Sequence, residues 1–297
     1  MPPPTPTPIA SGSNTRTIIT FFSRALLAFQ NSTSPFQVIC TLGPTTTPTS
    51  TPPASISSAT RPKTLIVLDS SFNPPTLAHL RMATSAVLAN TPNSTVRLLL
   101  LLSVQNADKP VKPASFAQRL AMMYVFAGDV QARLRELEGA MDEGVVVDIG
   151  LTTKPYFHDK SRAIAESGAY GSPGPEQVVL VGFDTLIRIF DQKYYGGKDG
   201  MREEVGGLLG RARLRVMMRP GDEWGDVEAQ RGWVQSLEEE RWKERIEMVQ
   251  GRSEGERVVS STLARNAAKM GDWEVLRGLV TEGVVKVVRE EGLYKEG

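Results

Sequence analysis

Two stretches of this chain hold residues whose types and spacing suit phosphoryl chemistry. In TLIVLDSSFNPPTLAHLRMA an apolar run ends at Asp69, a turn rich in Ser, Asn and Pro follows, and helix spacing begins near Thr76. A strand that hands over to a helix in this way leaves free backbone N–H groups and the positive end of the helix dipole beside the strand terminus. That is an anion cradle without a glycine loop, and Ser71, Phe72 and Asn73 would line it. His79 follows Thr76 by three residues, so hydroxyl and imidazole project to the same side of the helix. Held there, they can stabilise charge building up on a phosphoryl group under attack. In RVVSSTLARNAAKMGDWEVLRGLV, Ser260, Ser261 and Thr262 open a second helix, and Arg265 lies one turn further on. Hydroxyls, helix N–H groups and a guanidinium then converge, as the β- and γ-phosphates of a nucleotide require.

A third stretch, VVLVGFDTLIRIFDQKYY, ends an apolar strand at Gly182 and Asp184. Glycine lets a ligand approach the backbone, and a carboxylate at a strand's carboxyl end can accept hydrogen bonds from ribose hydroxyls. Between these stretches, SVQNADKPVKPASFAQRLAMM offers Lys109, Lys112 and Arg119 to neutralise phosphate charge. Taken singly, each motif also has a plain structural reading. Thr76, Ser260 and Asp184 would be helix caps, His79 and His158 satisfied histidines, and the lysines solvated loop residues.

The elements that must position these residues follow from periodicity. TLIVLD, VRLLLLLS, VVVDIGL, VVLVGFD, RLRVMMRP and the short ERVVS read as strands, alternating with helices such as LAHLRMATSAVLA and FAQRLAMMYVFAGDVQARLREL. Strands apolar on both faces between helices predict an α/β fold, a Rossmann-like, mostly parallel sheet covered on both sides. Its ligands would sit at the carboxyl ends of the strands. Residues 1–13 and 44–62, rich in Pro, Thr and Ser, read as a disordered tail and linker. Residues 14–43 read as an amphipathic helix and a short strand packed on the main domain, residues 63–297.

Composition narrows the function classes. The 34 basic and 33 acidic residues leave a formal net charge of +1, which gives no footprint for nucleic acid or anionic membrane. Cys40 is the single cysteine, and His79 and His158 are the two histidines. A cysteine-rich zinc site and an imidazole-built metal site are thereby excluded, while Mg²⁺ carried by phosphates remains compatible. No apolar run reaches the roughly 18 to 20 residues that span a bilayer. The segment before Asp69 is acid-free like a mitochondrial transit peptide, but prolines at 2, 3, 4, 6 and 8 would break a presequence helix from its start. The cytoplasm or nucleus is the expected compartment, with mitochondria as the minor alternative. Oligomerisation is left open.

SSFNPPTLAHL, together with VVLVGFD and VSSTLAR in that order, resembles the motif set of the (H/T)-x-G-H nucleotidylyltransferases. In particular it is similar to the nicotinamide and nicotinate mononucleotide adenylyltransferases, over about residues 64–294. Ser70 stands where that family usually has Gly, and Ala78 where much of the superfamily has Gly. Where human-type members carry a Trp that stacks on the nicotinamide ring, this chain reads TTKPYFHDKSRAI, which offers Tyr156 or Phe157 instead. These departures resemble the divergent fungal branch. The resemblance implies adenylyl transfer from ATP, with Mg²⁺, to a pyridine mononucleotide. It also implies His79, Thr76 and Arg265 as catalytic residues, and Ser71, Phe72, Asn73, Gly182, Asp184, Ser260, Ser261, Thr262, Lys109 and Lys112 as nucleotide contacts. Two alternatives stand beside it: transfer to another phosphorylated acceptor such as phosphopantetheine, and an ATP-binding scaffold with little or no activity that works through protein partners.

Overall fold

The computed structural model describes residues 12–44, 52, 61–91, 94–105, 114–138, 144–221, 224–251 and 256–295. Most of 1–13 and 44–62, the expected tail and linker, and the two candidate phosphate contacts Lys109 and Lys112 lie outside the described residues.

The strands are β1 (Phe36–Leu42), β2 (Thr64–Asp69), β3 (Val96–Ser103), β4 (Val146–Thr152), β5 (Glu176–Gly182), β6 (Ala212–Met217) and β7 (Ile246–Val249). They form one sheet in the order β1-β4-β3-β2-β5-β6-β7. β2 to β7 are parallel, and counted from β2 their order is the doubly wound 3-2-1-4-5-6. β1 adds itself antiparallel to β4 at one edge.

The helices, in chain order, are α1 (Gly12–Gln30), α2 (Leu77–Asn90), α3 (Phe116–Glu138), α4 (Phe157–Glu166), α5 (Phe183–Ile189), α6 (Lys198–Arg211), α7 (Val227–Gln235), α8 (Glu240–Lys243), α9 (Ser261–Met270), α10 (Trp273–Arg277) and α11 (Glu282–Glu290). Side chains of a strand point alternately to the two faces of its sheet. Accordingly Ile66 and Leu68 of β2 join the core under α1, α2, α3, α9, α10 and α11. Leu65 and Val67 join the core under α4 to α8. Burial of β2 and β3 on both faces explains why their sequences are almost unbroken runs of Leu, Ile and Val.

Residues ahead of the doubly wound unit are built into it. On α1, Ile18, Phe22 and Phe29 are buried, and Phe22 lies against Tyr124 of α3 with ring centroids 6.0 Å apart. On β4, opposite Thr41 of β1, Asp148 is completely buried. It accepts hydrogen bonds from Thr41 Oγ1 at 2.7 Å, Arg97 Nη2 at 2.8 Å and Tyr170 OH at 2.9 Å, so its charge is paired and both oxygens are used, as a buried carboxylate requires.

Two expected strands need correction. ERVVS belongs to no strand, and the sheet instead ends on Ile246–Val249. That edge segment, IEMV, is short and half-exposed, so it lacks the continuous apolar run that marks the inner strands. The strand read as VVLVGFD stops at Gly182, and Asp184 lies in the first turn of α5.

Candidate functional site

In a doubly wound sheet the strand order reverses between β2 and β5, and the helices that follow these two strands leave toward opposite faces, opening a crevice at their carboxyl ends. β2 ends at Asp69 and β5 at Gly182, so the first and third motifs meet at this point. The second arrives from the far end of the chain. Ser261 Oγ donates to the Pro74 carbonyl at 2.8 Å, Arg265 Nη1 donates to the Asn73 carbonyl at 2.7 Å, and the Leu77 N–H donates to the Leu279 carbonyl at 2.9 Å. From behind, Tyr294 OH donates to Asn73 Oδ1 at 2.8 Å. The starts of α2 and α9 are thus joined through the loop 73–77 and stand side by side.

His79 sits in the first turn of α2 with its ring fixed on both sides. The Thr76 backbone N–H donates to Nδ1 at 3.0 Å, and the Thr76 hydroxyl lies 2.8 Å from the same nitrogen. A backbone N–H can only donate, so Nδ1 is the acceptor and the neutral ring carries its proton on Nε2. Nε2 lies 3.0 Å from Ser70 Oγ. Phe72 packs against the ring with centroids 5.6 Å apart. Burial, with Arg219 adding to it, lowers the His79 pKa from 6.5 to about 4. At neutral pH the imidazole is therefore an uncharged donor.

Two cavities of about 260 Å³ each flank this point. The first is lined by Ser70, Ser71, Tyr156, Lys160, Asp184 and Tyr194, among others. Its wall is aromatic, with Tyr156 stacked on His158 at 5.5 Å and an interplanar angle of 8°, and His158 against Tyr195 at 5.2 Å. His158 is buried and, chiefly for that reason, its pKa is lowered. It supports the wall rather than facing the cavity, whereas Tyr156 and Phe157 both line it. Lys160 Nζ pairs with Asp69 at 2.5 Å at the cavity floor. The second cavity lies across α2 and is lined by Leu77, Ala78, Met217, Met218, Val258 and Ser260, among others. Gly182 and Arg219 line it as well, and Arg219 Nη1 approaches Asp184 Oδ1 at 3.5 Å. A side chain on Gly182 would meet the Asp184 carboxylate at 2.7 Å and the Arg219 guanidinium at 3.4 Å, so it would push this pair aside at the cavity's edge.

Several expected contacts sit differently from their sequence reading. Thr76 is 1% exposed, so its hydroxyl serves His79 and is not open to the cleft. Ser260 caps α9 by accepting from the Leu263 N–H, and Thr262 Oγ1 accepts from Arg265 Nη2 at 3.0 Å. Arg119 is buried, donating through Nε to the Ala114 carbonyl. Ser70 does not occupy the left-handed region; Phe72 does, at φ 44°. Among the lining residues that escaped sequence reasoning are Lys160, Arg188 and Arg219. Arg219 precedes the proline that closes the RLRVMMRP run, and its place two residues past the carboxyl end of β6 was the signal. Lys160 and Arg188 lie inside helices and gave none. Among the described residues no three His, Cys, Asp or Glu side chains converge as a metal cage, and no helix is long and apolar enough to cross a membrane.

The fold and this crevice define a class: a Rossmann-like α/β protein whose two anion-suited helix starts meet at the switch point. No family model matches the chain. It is 34% identical over 235 residues to a Schizosaccharomyces pombe protein provisionally named nicotinamide mononucleotide adenylyltransferase, covering 76% of this chain and 84% of the relative. The chain belongs to the nicotinamide/nicotinate mononucleotide adenylyltransferase family. Among solved structures, the Plasmodium falciparum nicotinic acid mononucleotide adenylyltransferase complexed with NaAD is 13% identical, with a TM-score of 0.49 over 78% of this chain and 97% of that one. A Vibrio parahaemolyticus structure described as a nicotinate-nucleotide adenylyltransferase is 16% identical, with a TM-score of 0.41 over 79% and 97% of the two chains.

Proposed function

We propose that the chain joins the adenylyl group of ATP to nicotinamide or nicotinate mononucleotide, giving the dinucleotide and pyrophosphate. The observation that carries this reading is the neutral His79, its protonated Nε2 against Ser70 of the aromatic cavity, on a helix whose Leu77 and Ala78 line the second cavity. The aromatic cavity suits a pyridine ring, which Tyr156 and Tyr194 can stack against. The cavity of Met217, Met218 and Val258 suits a purine base.

An oxygen of the mononucleotide 5′-phosphate attacks the α-phosphorus of ATP in line. The new P–O bond forms as the bond from the α-phosphorus to the bridging oxygen breaks, and the electron pair leaves with pyrophosphate. Such a displacement needs positioning and charge neutralisation rather than covalent help. His79 Nε2–H supplies donor strength beside the α-phosphate, Thr76 fixes the tautomer, and Arg219 and Lys160 bring positive charge to the crevice. At the α9 start, Arg265 and the free N–H groups face the departing pyrophosphate, and Ser261 holds that start in place. Lys109 and Lys112 remain candidates for the same charge. Magnesium arrives as part of the MgATP substrate, held by phosphate and water.

The test is to incubate the purified chain with MgATP and each mononucleotide and to look for dinucleotide and pyrophosphate. Expected is product with at least one mononucleotide, and a turnover loss of roughly 10²- to 10³-fold in His79→Ala with little change in ATP affinity. ATP binding without product from either mononucleotide would favour the scaffold alternative.

A further inference from the structure

Ser70 is where this chain departs from its family resemblance most closely to the chemistry, since a serine stands in a glycine's place. Its backbone is outside the left-handed region, so the side chain is accommodated without strain. Its Oγ lies 3.0 Å from His79 Nε2. The Thr76 N–H occupies Nδ1, so the imidazole donates through Nε2 and the serine oxygen accepts. A hydroxyl has one donor and two acceptor sites. Having accepted from His79, Ser70 still has its own O–H to give, and the residue lines the aromatic cavity.

We propose that Ser70 is a further catalytic residue that extends His79 by one hydroxyl: the hydrogen-bond chain runs from the Thr76 N–H through the imidazole to Ser70, whose O–H meets the phosphoryl oxygen in the cleft. Hydrogen bonds arranged head to tail polarise one another, so the terminal hydroxyl is a stronger donor than an isolated serine. No proton changes owner and no covalent bond to the protein forms. The inference rests on the adenylyl-transfer reading for its kinetics, but not for its geometry.

The test uses the full chain with Ser70→Ala, Ser70→Gly, His79→Ala and the Ser70→Ala/His79→Ala double variant. Expected is a kcat about 10- to 100-fold lower in both Ser70 variants, with KM for ATP changed less than about threefold. The double variant should lose much less than the product of the two single losses, because the imidazole acts through Ser70 and the two serve one hydrogen-bond chain. Independently of turnover, the His79 Nε2–H proton resonance should shift when α,β-methylene ATP is added to the wild-type chain and stay unmoved in Ser70→Ala. An unchanged kcat in both Ser70 variants, a faster Ser70→Gly, or fully additive losses in the double variant would each overturn the proposal. If the wild-type chain makes no dinucleotide, the transfer reading fails, and the resonance measurement still decides the hydrogen-bond chain.

Discussion

A single backbone N–H decides the tautomer of His79, because Thr76 presents a fixed donor to Nδ1. Burial, with the Arg219 charge adding to it, disfavours a second proton on the ring and lowers its pKa to about 4. In the unfolded chain the same imidazole titrates near its ordinary 6.5. As pH drops from about 6.5 to about 4, the unfolded chain takes up a proton that the folded one refuses, so this contribution to stability is complete above the unfolded value and lost across that window. The linkage is worth up to about 3 kcal/mol. In urea titrations at pH 7 and pH 4.5, the wild-type chain should lose more stability between the two pH values than His79→Gln does. Equal losses would show that the ring is not held neutral.

At the scale of elements, the decisive event is the joining of two helix starts nearly two hundred residues apart in sequence. Ser261 and Arg265 both donate to carbonyls of the 73–74 loop, so the α9 start positions the α2 start before any ligand is considered. Ser261→Ala leaves the buried Pro74 carbonyl without its donor, and Arg265→Lys keeps the charge but loses the planar fork that serves Asn73 and Thr262 together. Each should lower stability by about 1 to 2 kcal/mol in urea titration. The double variant should lose less than the sum, because both bonds pin one loop. Strict additivity would mean that the two starts are held by something other than this loop.

For the molecule as a whole, the segment before the doubly wound unit is structural. Thr41 of β1 and Tyr170, which follows α4, close on Asp148 together with Arg97. Removing the charge with Asp148→Asn leaves the Arg97 guanidinium, 7% exposed, without its counter-ion, at a cost of about 3 to 5 kcal/mol. Denaturant midpoints would check this, and a change under about 1 kcal/mol would refute it. Beside the same carboxylate, burial pushes the Cys40 thiol up to about 12, which makes it an inert core residue rather than a reactive one.

The sequence by itself determined the α/β class and the inner strands, because central parallel strands must be apolar on both faces and TLIVLD and VRLLLLLS can be little else. It also determined which residues open α2 and α9, since caps and helix starts are written in neighbouring residues. Tertiary structure alone decided which of those residues face the cleft. The hydroxyl of Thr76 turned inward to the imidazole, Ser261 turned to a carbonyl of the opposing loop, Ser70 and Arg219 emerged near His79, and Lys160 emerged in the wall of the aromatic cavity. Such facts depend on how strands β2, β5 and β6 lie next to one another, and periodicity along a chain carries no information about which distant strand becomes a neighbour.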